Sequence, residues 1–204
     1  MRLPDSRYEE IKAEVTELYQ RCECDTIPVD PLMIAAKLDV NIVRYSSLGE
    51  EGEAAALKRS PNGFKLDLKR PDGTRTQLIY FNDHHPTGRR RFTLLHEIGH
   101  VVLGHLQESA VAEAEANFFA KFAAAPPSLV HVIGPSDYMD IADAFGLSAE
   151  CALNSWNYYH RWLRTNSDKA YERTLRDLFV VVSQTGAVKS VNLRGRAWGG
   201  GQVA

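Results

Sequence analysis

His96 and His100 stand four residues apart, and Glu97 follows the first directly, giving an H-E-x-x-H sequence. On a helix, residues four apart lie one turn above each other on the same face, so two imidazoles can reach one ion. Zinc accepts neutral imidazole nitrogen at ~2.0 to 2.1 Å, and catalytic zinc sites use three protein ligands and keep a position for water. Glu97 is next to His96 rather than four residues on, so its carboxylate is aimed at that water and not at the metal. The chemistry such a trio supports is hydrolysis by an activated water, with Glu97 as catalytic base. As mere fillers of a helix face, both histidines would need polar partners inside an otherwise apolar segment carrying Phe92, Leu95, Ile98, Val102 and Leu103.

A third ligand must come from elsewhere. One extension of the motif, H-E-x-x-H-x-x-G-x-x-H, needs glycine at position 103 and histidine at 106, where this chain has Leu103 and Leu106. His105 follows His100 by five residues, which turns it off the ligand face and makes it a surface or supporting residue. The following helix offers Glu113 and Glu115, which two residues of helix set about 200° apart, so only one can face the metal. Glu113 shares its face with Ala116, Asn117 and Ala120, small enough to let the two helices approach at Gly99. Glu115 shares its face with Phe118, Phe119 and Phe122. Glu113 is therefore taken as the third ligand.

The elements that must position these residues are legible from periodicity. Tyr8, Ile11, Val15 and Leu18 recur at helical intervals over residues 7–21, and Asp30 before Pro31 caps a short helix through Leu38. Val40 to Tyr45, Phe64 to Leu68 and Gln77 to Phe81 read as short strands, with Gly49, Gly52, Pro61-Asn62-Gly63 and Pro71-Asp72-Gly73 as turns between them. The motif helix is predicted from Thr87 to about Leu106 and the glutamate helix from about Ser109 to Ala124, closed by Pro126-Pro127. Further helices are predicted over 137–145, 148–164 and 168–181. The fold class is α+β, a small antiparallel sheet followed by helices. One domain is expected over 1–182, with a helical subregion at about 137–182 and a flexible glycine-rich tail over 183–204.

Composition excludes several function classes. Hydrophobic residues at 44% and charged residues at 25% fit a packed globular chain, and a net charge of -2 gives no overall attraction to nucleic acid or anionic membrane. The opening MRLPDSRYEEIKAEV lacks the apolar run of a signal peptide, and no segment approaches the ~18 apolar residues of a membrane span. Cys22, Cys24 and Cys151 are too few and too oddly spaced for a disulfide framework or a cysteine zinc site, so reduced thiols and a cytoplasmic location are expected.

The segment Arg90-Arg91-Phe92-Thr93-Leu94-Leu95-His96-Glu97-Ile98-Gly99-His100 resembles the core of the ImmA/IrrE metallo-endopeptidases. Upstream, Ile27-Pro28-Val29-Asp30, Ile34-Ala35 and Val40 resemble the family's opening helix, and Ile79-Tyr80-Phe81-Asn82 its strand before the motif. Downstream, Glu113-Ala114-Glu115-Ala116-Asn117-Phe118-Phe119-Ala120 resembles its E-x-x-A-N-x-F-A helix. The resemblance spans about residues 27–162. It implies a zincin-like core and a gluzincin-like zinc site, with His96, His100 and Glu113 as ligands. It also implies regulatory cleavage of helix-turn-helix repressors in mobile-element control and stress responses. Where the family ends the second helix in Leu-Leu-Met-Pro, this chain has Ala123-Ala124-Ala125-Pro126, a thinner apolar wall.

Two competing readings come from other residues. Asp140 to Ser148 followed by a helix resembles a helix-turn-helix, which makes a DNA-binding or scaffold protein the alternative. The second helix, however, brings Trp156, Tyr158, Tyr159 and Trp162 and has basic residues only late, at Arg161 and Arg164, so direct nucleic-acid binding is not expected. Arg89, Arg90 and Arg91 oppose the dipole at the start of the motif helix, which points to a local partner. His131, Tyr158, Tyr159 and His160 are candidate oxyanion donors to which the sequence assigns no role.

Overall fold

The computed structural model of the chain describes residues 2–69, 73, 75–165, 169–182 and 188–191. These separate into two compact units. The first gathers the residues up to Ile11 and those from Asp30 to Ala120, and the second holds Lys12–Val29 and the residues from Lys121 on.

α1 (Asp5–Arg21) has its residues up to Ile11 in the first unit and the rest in the second, and in the first unit α2 (Pro31–Lys37) follows Asp30, whose carboxylate accepts from the Leu32 amide as the proline-led start requires. Three strands, β1 (Asn41–Arg44), β2 (Gly63–Lys69) and β3 (Arg75–Phe81), make a sheet in the order β1-β3-β2. The α+β class holds, but the sheet is mixed and not antiparallel throughout. β2 and β3 form an antiparallel hairpin with Phe64 opposite Tyr80, whereas β1 lies parallel to β3 with Ile42 beside Ile79. A four-residue strand carries no directional signal, and β1 reaches its place through a helix that sequence reading missed. That helix, α3 (Gly49–Arg59), follows a 3₁₀ turn at Tyr45–Leu48. Gly49 and Gly52 look like turn punctuation, yet Glu50 and Glu51 in the first turn and Lys58 and Arg59 in the last suit a helix dipole.

α4 (Thr87–Val102) packs against β2 and β3, and its Leu94, Leu95 and Ile98 are buried. Gly63 permits the contact, since a Cβ there would lie 2.6 Å from Thr93 Cγ2 and 2.8 Å from the Tyr80 carbonyl oxygen. Gly63→Ala is expected to destabilise the fold by about 1–3 kcal/mol, because a backbone oxygen cannot turn aside as a side chain can. Urea unfolding of the two proteins measures this, and an unchanged midpoint would show that the helix seats without this contact. At the start of α4, Arg89 donates to Asn62 Oδ1 at 2.9 and 2.6 Å and Arg90 to Thr87 Oγ1 at 3.0 Å, so these two cations have partners within the unit.

α5 (Ala110–Ala124) then carries the chain into the second unit. There, α6 (Pro127–Ile133) starts on the proline pair, α7 (Tyr138–Phe145) and α8 (Ala149–Thr165) meet at a left-handed Gly146, and α9 (Ala170–Phe179) leads into β4 (Val180–Val182). The Pro126-Pro127 pair, read as a stop, also opens a helix, because proline is favoured at a first helical position. Within the expected tail, Val188–Val191 forms a strand, β5, antiparallel to β4. Residues 183–187 and 192–204 of that tail lie outside the described residues. Leu129, Val130, Ile141, Phe145, Leu175 and Phe179 are buried in this unit, and Ala123, Ala124 and Ala125 are buried too. Cys22 and Cys24 are buried, and no disulfide joins any of the three cysteines. Among the described residues no helix is long and apolar enough to cross a membrane.

Candidate metal centre

α4 presents His96 and His100 one turn apart on its open face, and α5 brings Glu113 to them. The Nε2 atoms of the two histidines are 3.1 Å apart, and Glu113 turns Oε2 to His96 at 3.4 Å and Oε1 to His100 at 3.3 Å. These three side chains form a group that could hold a metal ion. Both imidazoles are largely buried, whereas Glu113 remains half exposed at the rim. The helices can be this close because residue 99 is glycine. A Cβ there would stand 3.0 to 3.2 Å from three atoms of Phe119, which is fully buried. Sequence reading placed Ala116, Asn117 and Ala120 at this approach; the side chain facing Gly99 is Phe119.

Burial pushes the His100 imidazole down to about 4, helped by the neighbouring His96 and His105, and it lowers His96 against the opposing pull of Glu113. Both rings are therefore neutral at pH 7, the form that ligates metals. Glu97, one residue round the helix and 7% exposed, is pushed up to about 7 by burial and then by the Glu113 carboxylate, against a backbone hydrogen bond from Lys65. A carboxyl that titrates near neutrality beside a possible metal site suits proton transfer.

A cleft of about 600 Å³ opens over these groups, with Phe64 and Leu66 of β2, Phe92 of α4 and the exposed Leu106 among its walls. β2 is an edge strand, and Lys65 ties it to the loop after α4 by donating to the His105 carbonyl at 2.8 Å and to Asp67 at 2.7 Å.

The second sphere was mostly invisible in the sequence. α4 stops at Val102 rather than Leu106, because Gly104 takes a left-handed conformation at φ +69° and the His105 amide turns back to donate to the His100 carbonyl at 3.0 Å. His105 thus leaves the helix and lies against His100, Nδ1 to Nδ1 at 2.9 Å, while its Nε2 meets Glu115 Oε2 at 2.8 Å. Glu115 in turn accepts from Arg7 of α1 at 2.8 and 3.0 Å. Arg7 and then His105 hold the Glu115 carboxyl down at about 2, against its burial, so it is ionised. Asn117 donates its side-chain amide to the Glu113 carbonyl at 2.8 Å and raises the His96 pKa against its burial. His105 is read from sequence as a surface or supporting residue, and Asn117 could have been anticipated from its position one turn beyond Glu113; nothing local connects Arg7 with Glu115.

Of the candidate oxyanion donors, His131 and Tyr159 are bonded to each other at 3.0 Å in the second unit, and His160 packs edge-on against Trp156. The first turn of α8 carries Glu150 and no cation, an unfavourable start for a helix meant to enter DNA.

No curated protein matches the chain. The family model described as Peptidase_M78, IrrE N-terminal-like domain, matches residues 43–157, more than half the chain and a span that runs from β1 through α4 and α5 into α8. With the histidine pair, Glu97 and Glu113 all inside the matched span, the chain belongs to the IrrE N-terminal-like metallopeptidase family.

Proposed function

We propose that the protein is a zinc-dependent endopeptidase in which His96, His100 and Glu113 hold the metal and Glu97 is the catalytic base. The observation that carries this reading is the cluster of donor atoms, in which the two histidine Nε2 atoms are 3.1 Å apart, one Glu113 oxygen is 3.3 Å from His100 and the other 3.4 Å from His96, and one ligand atom from each residue lies within 4.8 Å of the others. Tetrahedral zinc with bonds of ~2.0 to 2.1 Å needs its ligand atoms about 3.3 Å apart. Two imidazoles and one carboxylate also suit zinc better than magnesium or calcium, which prefer oxygen throughout. When bound, zinc supplies Lewis acidity for the scissile carbonyl and lowers the pKa of the attacking water.

The remaining work falls to the chain. Glu97 accepts the proton of the attacking water and returns it to the leaving amine. The cleft along β2, mostly polar with Phe64, Leu66, Phe92 and Leu106 among its walls, has the size to hold an extended peptide segment against the site. The resemblance of the motif helices to the ImmA/IrrE enzymes supports a cytoplasmic helix-turn-helix repressor as substrate, and hence a role in transcription regulation of mobile elements. Incubating the zinc-loaded chain with a candidate repressor and reading fragments by mass spectrometry tests this part. A repressor released from its operator without cleavage would favour the scaffold alternative.

Metal binding carries a proton signature. Without metal, Glu97 at about 7 is roughly half protonated at pH 7, while His96 and His100 are already neutral. A nearby divalent charge favours the carboxylate and drives that pKa down, so loading expels the proton. Calorimetry at pH 7 in two buffers of different ionisation enthalpy should show roughly half a proton more released by wild type than by Glu97→Gln, a difference that vanishes as pH rises. Equal release by both proteins would remove Glu97 from the site.

A further inference from the structure

We propose that His105, Glu115 and Arg7 form a positioning relay that fixes the tautomer and ring orientation of His100 for metal ligation, so that the first helix of the chain takes part in holding the metal. The inference rests on the zinc reading given above and extends it to residues that touch neither metal nor substrate.

Proton placement gives the relay its direction. To ligate through Nε2, His100 must carry its proton on Nδ1, and the only ring atom facing that proton is His105 Nδ1 at 2.9 Å. His105 must then accept there, which puts its own proton on Nε2, aimed at Glu115 Oε2 2.8 Å away. Glu115 is a carboxylate and can only accept, and Arg7 Nε and Nη2 occupy Oε1 and Oε2 at 2.8 and 3.0 Å in a two-point clamp. Each ring and guanidinium donor that links Arg7 to His100 thus meets an acceptor. The opposite tautomer of His100 would aim a proton at His96 Nε2, 3.1 Å away, and leave His105 Nδ1 facing a second lone pair.

The parts are placed so that the arrangement is rigid. His105 and Glu115 side chains are each 11% exposed, and α5 supplies both Glu115 and the ligand Glu113 two residues earlier. Arg7 is also held by Glu10 at 2.9 Å, which keeps the guanidinium over Glu115. Outer partners that orient a ligating histidine change metal affinity by about 10 to 100-fold when removed.

Zinc affinity of the full chain, measured by competition with a chromophoric chelator, tests the relay, with the cobalt(II) spectrum and thermal melting recorded on each variant. His105→Leu is expected to weaken binding by about 10 to 100-fold. His105→Gln, whose amide both accepts and donates, should return to within a few-fold of wild type and restore the cobalt spectrum. Equal affinities for His105→Leu and wild type, or equal losses for His105→Leu and His105→Gln, would overturn the proposal. Should His105→Leu fail to fold, Arg7→Gln decides, its side chain being 27% exposed and outside the core. A fall of about tenfold with the helical signal intact is expected, and wild-type affinity overturns the relay. A wild-type chain that binds no zinc would overturn the metal site and the relay together, whereas wild-type loading with indifferent variants overturns the relay alone.

Discussion

Glu97→Gln will keep its zinc and lose peptide hydrolysis by at least about 10² to 10⁴-fold, the range that a positioned acid-base group contributes. The amide preserves the volume of a side chain that is buried, so neither α4 nor the seat of the two histidines has reason to move. It removes the carboxylate that takes the proton of the attacking water. Because the ion and the Glu97 carboxylate attract each other, zinc affinity should hold or fall slightly. Metal content by elemental analysis and turnover of a cleavable repressor measure the two halves separately. A variant that retains turnover would show that another group takes the proton.

The second large effect is the loss of a ligand. Glu113→Ala leaves two neutral imidazoles on one helix as the metal's ligands, since Glu115 is committed to Arg7 and His105. Zinc affinity should fall by more than about 100-fold, beyond the upper end for an outer partner. Glu113 is half exposed and makes its close contacts only with the histidines, so the melting temperature of the metal-free protein should barely change. A chelator titration that gives Glu113→Ala wild-type affinity would place the third ligand elsewhere.

The helices that carry the site were legible because their information is local. Four-residue spacing, the approach at Gly99 and the proline pair after Ala124 place α4 and α5 from sequence, and the 200° between Glu113 and Glu115 separates their directions. In the structure Glu113 faces the histidine pair, and Glu115 faces His105 and Arg7. What sequence could not give is non-local. The parallel pairing of β1 depends on α3, and α3 was hidden by glycines that usually mark turns. Arg7 lies 108 residues from Glu115, and no periodicity joins them. Sequence reading kept His105 inside the motif helix, because the left-handed Gly104 that ends α4 looks like an isolated glycine in a continuing helix.

The central claim is that His96, His100 and Glu113 make one open metal site, and elemental analysis of the purified full chain tests it most directly. After zinc loading and exhaustive dialysis the chain should retain about one zinc, and the His96→Ala and Glu113→Ala variants should retain essentially none. A wild-type chain that stays folded yet cannot be loaded, or variants that hold zinc as firmly as wild type, would contradict the account.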